Sequence, residues 1–217
     1  MKSSKKYYRL SAVFFAAFIL FTILVKTVDV KPIGPNGSEV GFAALNAAVY
    51  KLFGAHPFFH TLTDLLGYTA FLVIGAFGMI GLVQLIQRRS LKKVDPKIVL
   101  LGIFYLIVLA FYFLFNKVVV NWAPYLEEGQ LVPSYPSSHT LMFIAVIATA
   151  FMQDVFIKSN GGNPKKDKII CGALIGFTVM GRLLAGVHWL TDILASCMLA
   201  AALILLYWAS VCRGEGH

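Results

Sequence analysis

Residues 98–116 read IVLLGIFYLIVLAFYFLFN, nineteen consecutive positions without a charge. A helix needs about 20 mostly apolar residues to cross the hydrocarbon of a bilayer, so this stretch reads as a membrane span. Five more blocks of the same character lie on either side of it, at 7–25, 65–86, 139–157, 169–186 and 189–211. None alternates apolar and polar residues as a barrel strand does. In lipid that leaves helices as the way to satisfy the backbone. The chain is 59% hydrophobic and 13% charged over 217 residues, with a mean hydropathy of +0.77, more apolar surface than a soluble domain of this size can hide. The expected fold is an all-α polytopic bundle of six transmembrane helices with a short external interfacial helix. It forms one domain over 1–217, with its core at about 98–211.

Charge sets the expected orientation. The formal net charge is +9. Lys2, Lys5, Lys6 and Arg9 lie at the start of the first block, and Arg88, Arg89, Lys92, Lys93 and Lys97 lie between the second and third. Lys158, Lys165, Lys166 and Lys168 lie between the fourth and fifth, and Arg213 follows the sixth. Only Lys26, Lys31, Lys51, Lys117 and Arg182 fall on the other side. The positive-inside rule then places both termini in the cytoplasm. The charge is a topology signal and requires no nucleic-acid partner. The basic residues ahead of the first block resemble a signal peptide, but the apolar stretch is long and no small-x-small cleavage site follows, so a retained helix is expected.

Residues 26–64 form the one long external segment. Its turn-rich KPIGPNGSE is followed by VGFAALNAAVYKLFG, where Phe42, Leu45, Val49 and Leu52 recur at helical spacing. This piece is too short to span and is expected to lie at the membrane surface or against the bundle. Gly75, Gly78, Gly81, Gly172 and Gly176 suit close helix packing. Cys171, Cys197 and Cys212 sit in or beside apolar helices, where they fill space.

Ionisable residues beside apolar spans are costly, and each is a functional candidate. Here they gather on the outer side. Lys117 ends the third block, Pro136, Ser137, Ser138 and His139 open the fourth, Arg182 lies late in the fifth, and His188 and Asp192 open the sixth. Cations, a serine at a helix start and two histidines suit a tetrahedral anion, and the first amides of the fourth helix add donors. His188 and Asp192 are four apart and share a helix face, so the carboxylate can hold one ring nitrogen and free the other as a nucleophile. His139 can protonate the leaving oxygen. The scheme requires no metal and no cofactor.

These residues resemble the type-2 phosphatidic acid phosphatase superfamily. Its third motif, S-R, five residues, H, three residues, D, appears as Gly181-Arg182, His188 and Asp192, with Gly for Ser. Its second, P-S-G-H, appears as Pro136-Ser137-Ser138-His139. Its first places Lys several residues before Arg-Pro. Here Lys117 is followed by VVVNWAP, so Pro124 is present while Ala123 stands at the Arg position and the spacing is one residue shorter. The resemblance implies His188 as the nucleophile that forms a phosphohistidine, Asp192 as its orienting group and His139 as general acid. It implies that Lys117, Ser137, Ser138 and Arg182 bind the phosphate. The implied substrate is a lipid phosphomonoester or diphosphate, namely phosphatidic acid, phosphatidylglycerol phosphate or polyprenyl diphosphate, reached laterally from the membrane. The implied location is a cell membrane, with a bacterial plasma membrane suggested by the compact chain. A lipid phosphotransferase and a phosphate-lipid binding or transport protein are the alternatives, the latter favoured by Ala123.

Other residues are read structurally. Asp64 is expected to be a first-turn helix charge, His56 and His60 to mark the lipid interface, and Glu127 and Glu128 to sit on a solvated loop. Trp122 and Trp189 are expected in an aromatic belt.

Overall fold

The computed structural model describes residues 2–153 and 163–214. Five helices are long and apolar enough to cross a membrane among the described residues. They are α1 (Lys2–Thr27), α3 (Pro57–Arg88), α4 (Pro96–Phe115), α6 (Pro164–Ala185) and α7 (Leu190–Gly214). A shorter apolar helix, α5 (Ser138–Ala150), completes the bundle of six, and α2 (Ala43–Phe53) is the external helix. The fourth apolar block was expected to run to 157, and its last residues, 154–157, lie outside the described ones.

α5 is the centre of the molecule. It packs against α3, α4, α6 and α7, and Leu141, Met142, Ala145 and Val146 on it are 0% exposed. A helix buried this completely is apolar all round, as its sequence shows. α1 lies along α7, held by hydroxyls reaching across to backbone. Ser4 Oγ donates to the Ala209 carbonyl and Ser11 Oγ to the Ala202 carbonyl, each at 2.8 Å. Both alanines are fully buried, the small-residue contact that lets helices approach in lipid.

The glycines that permit close approach are not the five named from sequence. A Cβ at Gly75, Gly78, Gly172 or Gly176 would meet nothing, and only Gly81 has a close neighbour, Ile98. Within the described helices the tight positions are Gly67, where a Cβ would lie 2.9 Å from the His139 ring, and Gly181, where it would lie 2.6 Å from Thr63. Both contacts press α3 onto the end of the bundle that carries the polar residues.

α3 begins at Pro57, eight residues before the apolar block it contains. Proline at the first position suits a helix start. Its 32 residues rise about 48 Å against a hydrocarbon core of about 30 Å, so the first turns project beyond the apolar layer. They carry His60 and Asp64. Between α4 and α5 the chain forms an antiparallel hairpin, β1 (Trp122–Glu127) and β2 (Gln130–Pro133), where a plain loop was expected. Glu128 and Gly129 both take positive φ, the backbone of a two-residue hairpin turn whose twist matches the strands. The pairing is irregular between Trp122 and Leu126, where Pro124 lacks the N–H for a ladder bond.

α2 also departs from its sequence pattern. Leu45 and Leu52, half of the apolar stripe, are exposed, while Asn46 is buried at 1% exposure. Its inward face is chosen by hydrogen bonds rather than by hydrophobicity.

Candidate active site

The first turns of α3 and α5, the last turns of α4 and α6, the hairpin and the α6–α7 turn surround a cavity of about 700 Å³, a volume in the usual range for a small-molecule site. Arg182, His188, His139 and Ser138 line it, as do His60, Asp64, Tyr125 and Asn116.

The α6–α7 turn is built by its own sequence. Gly186 ends α6 in the left-handed conformation, and a side chain there would run into Ala55 at 2.6 Å. Asp192, in the first turn of α7, reaches back to accept from the Trp189 N–H at 3.0 Å, the reciprocal half of a capping box. Its other oxygen accepts from Asn121 at 3.2 Å. Asn46 of α2 bonds Thr191 through both its amide nitrogen and its oxygen, at 2.9 and 3.2 Å. The Trp189 indole donates to the Trp122 carbonyl at 2.7 Å and is 4% exposed, so it is a packing residue and not a member of an aromatic belt. His188 is thus carried on a turn pinned by α2, by Asn121 and by the hairpin.

His188 Nδ1 donates to the Ser134 carbonyl at 3.1 Å, and its Nε2 accepts from Arg182 Nη2 at 3.3 Å. The two bonds are satisfied together by one neutral tautomer, with the Nε2 lone pair turned toward the guanidinium. Asp192 was expected to hold the ring. Its Oδ2 lies 3.9 Å from Nδ1, beyond hydrogen-bond reach, because its oxygens are engaged by Trp189 and Asn121. The residue that holds the tautomer is Ser134, whose backbone N–H is fixed in turn on Asn121 at 3.0 Å. Burial is the largest influence on His188 and pushes its protonation below the usual histidine range. Asp192 opposes this and Arg182 adds to it.

Arg182 is 3% exposed and is the one fixed cation lining the cavity among the described residues. Its Nη1 pairs with Asp64 at 2.5 Å and reaches Thr63 at 3.3 Å. Its buried Nε has no partner. Asp64, read from sequence as a helix charge, therefore belongs to the site. Its second oxygen pairs with His60 Nε2 at 3.0 Å, which brings His60 in as well. The missed signal was the spacing of His60 and Asp64, four apart in the first turns of α3, the same pattern read as functional in His188 and Asp192.

The remaining expected residues divide. Ser138 and His139 line the cavity, and the His139 ring stands edge-on to Tyr112 with centroids 5.9 Å apart. Ser137 is fully buried and caps α5, its Oγ bonded to the Thr140 hydroxyl at 2.8 Å and accepting from the Thr140 N–H at 3.4 Å. Lys117 is exposed at the end of α4, and its neighbour Asn116, not Lys117, lines the cavity. Ala123 is 1% exposed inside the hairpin. Tyr125, two residues on, faces the cavity, and burial together with Glu127 pushes its hydroxyl up, so it remains a neutral donor.

No curated protein matches this sequence. Among solved structures the fold is similar to that of the first transmembrane PAP2-type phosphatidylglycerolphosphate phosphatase from Bacillus subtilis. The TM-score is 0.55 and the identity 17%, covering 94% of this chain and 96% of that one. The family model of the PAP2 superfamily matches residues 118–213, the stretch that carries the hairpin, α5 and the His188 turn, and this match supports the resemblance to the type-2 phosphatidic acid phosphatase superfamily.

Proposed function

We propose that the protein is a membrane lipid-phosphate phosphatase working through His188. The observation that carries this reading is the pairing at the cavity floor, where Nδ1–H is committed to Ser134 while Nε2 stands beside the Arg182 guanidinium. A phosphoryl group placed there has a neutral nucleophile and a cation for its oxygens. In the first step the Nε2 lone pair attacks phosphorus, the bond from phosphorus to the lipid oxygen breaks, and His139 gives that oxygen a proton. In the second, His139 takes a proton from water, the hydroxide attacks phosphorus, and the phosphorus–nitrogen bond breaks to return His188 and release inorganic phosphate. The open first turn of α5, with Ser138 on the cavity wall, supplies amide donors. The site faces the non-cytoplasmic side, on the distribution of basic residues.

The structurally similar Bacillus protein is a phosphatidylglycerolphosphate phosphatase, which makes that lipid the first to assay, beside phosphatidic acid and a polyprenyl diphosphate. Purified protein in detergent should release phosphate from at least one of them, and His188→Ala should not. Release that rises only with an added acceptor alcohol would indicate phosphotransfer. Binding of lipid phosphate without release in the wild type would indicate a binding protein and refute the enzymatic reading.

A further inference from the structure

Charge around the cavity is poorly matched to a phosphate when its histidines are neutral. Arg182 is the one fixed cation on its wall among the described residues, against three carboxylates, Asp64, Glu127 and Glu128. Asp64 is already paired with the guanidinium. A phosphomonoester carries between one and two negative charges near neutral pH, so the site needs another cation. The resembled motif would supply an Arg, but Ala123 occupies that place and is buried. Lys117 does not line the cavity.

The imidazoles remain. On the proposed reaction, on which this inference rests, His188 is spent as the nucleophile and His139 as the proton carrier. The third is His60. Its Nε2 lies 3.0 Å from Asp64, it is 42% exposed, and its ring stands 6.4 Å from that of Tyr125, the residue two places along β1 from Ala123. It is held where it is by the projecting start of α3, which Thr63 packs onto Gly181 and Gly67 packs onto His139. We infer that His60, protonated and braced by Asp64, is the phosphate-binding cation that takes the place left by Ala123. Its Nε2–H bonds Asp64 and its Nδ1–H is the donor to a phosphate oxygen. Asp64 is a positioning residue for both His60 and Arg182.

An imidazole carries charge only on the acid side of its titration, whereas an arginine carries it throughout. Anion binding should therefore weaken as the medium turns alkaline. The groups facing His60 are Asp64 on its own helix, Tyr125, Glu127 and Glu128 from the hairpin, and Arg182 from α6, with His139 and His188 across the cavity. Of these only His139 and His188 are also imidazoles, and burial holds His188 below the usual histidine range.

The test uses full-length protein in detergent micelles and dioctanoyl phosphatidic acid. Binding is measured by calorimetry in a His188→Ala background, where turnover does not interfere. Affinity is compared at about pH 5.5 and about pH 8, either side of the ordinary histidine titration. His60→Ala should weaken binding about tenfold at the lower pH, the scale of one charge-assisted contact. His60→Arg should restore it and hold it at the higher pH, where the parent protein weakens. Comparing variants with one ligand cancels the ligand's own titration, and the arginine variant separates lost charge from lost folding. Equal affinity of His60→Ala and its parent would overturn the inference, as would a pH dependence in His60→Arg identical to the parent's. Binding does not require turnover, so failure of the phosphatase reading would show separately, as absent phosphate release in the wild type.

Discussion

At the scale of single residues, His188 and Asp192 separate into different jobs. The ring is oriented by the Ser134 carbonyl, and Asp192 holds the turn that carries the ring. Asp192→Asn keeps one acceptor oxygen for two buried donors, the Trp189 N–H and the Asn121 amide, and leaves one of them unsatisfied. That should cost about 1–3 kcal/mol, read as a lower melting temperature in detergent, with turnover reduced and still measurable because Ser134 continues to fix the tautomer. Complete loss of turnover at unchanged stability would instead show the carboxylate acting on the ring directly. His188 also sets an acid limit. Its protonation is pushed down by burial, and only the neutral ring attacks phosphorus, so the nucleophile stays competent as pH falls past the ordinary histidine value of about 6.5. The acid limb of a kcat/KM profile, which reports the free enzyme, should lie below that value, and a limb above it would contradict the assignment.

At the scale of elements, the site depends on how closely α3 approaches α6. Gly181 stands where the resembled motif has Ser, and the missing side chain is the space into which Thr63 fits. Gly181→Ser should push α3 outward, separate Asp64 from Arg182 and cost about 1–3 kcal/mol, the usual scale of overpacking. A variant with unchanged melting temperature and turnover would show that α3 yields without consequence. The hairpin gives a second case. Ala123→Arg, which on the motif alone would restore a phosphate ligand, instead places a guanidinium at a position 1% exposed, and it should lower stability and turnover together. Activity raised above wild type would mean that the hairpin turns this position toward the cavity. The two cases mark what could be read from sequence. The spans were legible because long charge-free blocks have one physical solution in lipid, and the gathering of Arg182, His188 and His139 at one cavity was legible because ionisable groups at helix ends are rare there, with Ser138 following as the neighbour of His139. Asp64 and His60 were not, because the apolar block defining their helix starts after them and nothing local says that α3 projects beyond the membrane. The burial of Ser137 and Ala123 was hidden for another reason, since a motif's spacing fixes which residues are near one another but not which way each side chain turns.

At the scale of the whole molecule, the expected orientation can be tested against the fold. α3, α4, α5, α6 and α7 alternate in direction, so their polar ends fall together and the cavity opens at one end of the bundle. Arg88 ends α3, and Arg89, Lys92 and Lys93 lie in the turn between α3 and α4, at the other end. On the positive-inside rule that end is expected in the cytoplasm, because translocating a cluster of cations is disfavoured whatever the fold between them. Gln130, exposed beside the hairpin turn, and Lys92, exposed in the basic turn, are therefore opposite probes of one statement. With Cys171, Cys197 and Cys212 replaced by alanine, Gln130→Cys in intact cells should react with a membrane-impermeant maleimide, and Lys92→Cys should react only after permeabilisation. The reverse pattern would put the cavity on the cytoplasmic side and change which pool of lipid phosphate it meets. Labelling of both sites before permeabilisation would show that the bundle does not span as the alternating helices require. The hairpin probe is the more telling of the two, since the hairpin that carries it also delivers Tyr125 and Glu127 to the cavity wall, and wherever Gln130 is labelled the cavity end of the protein must lie.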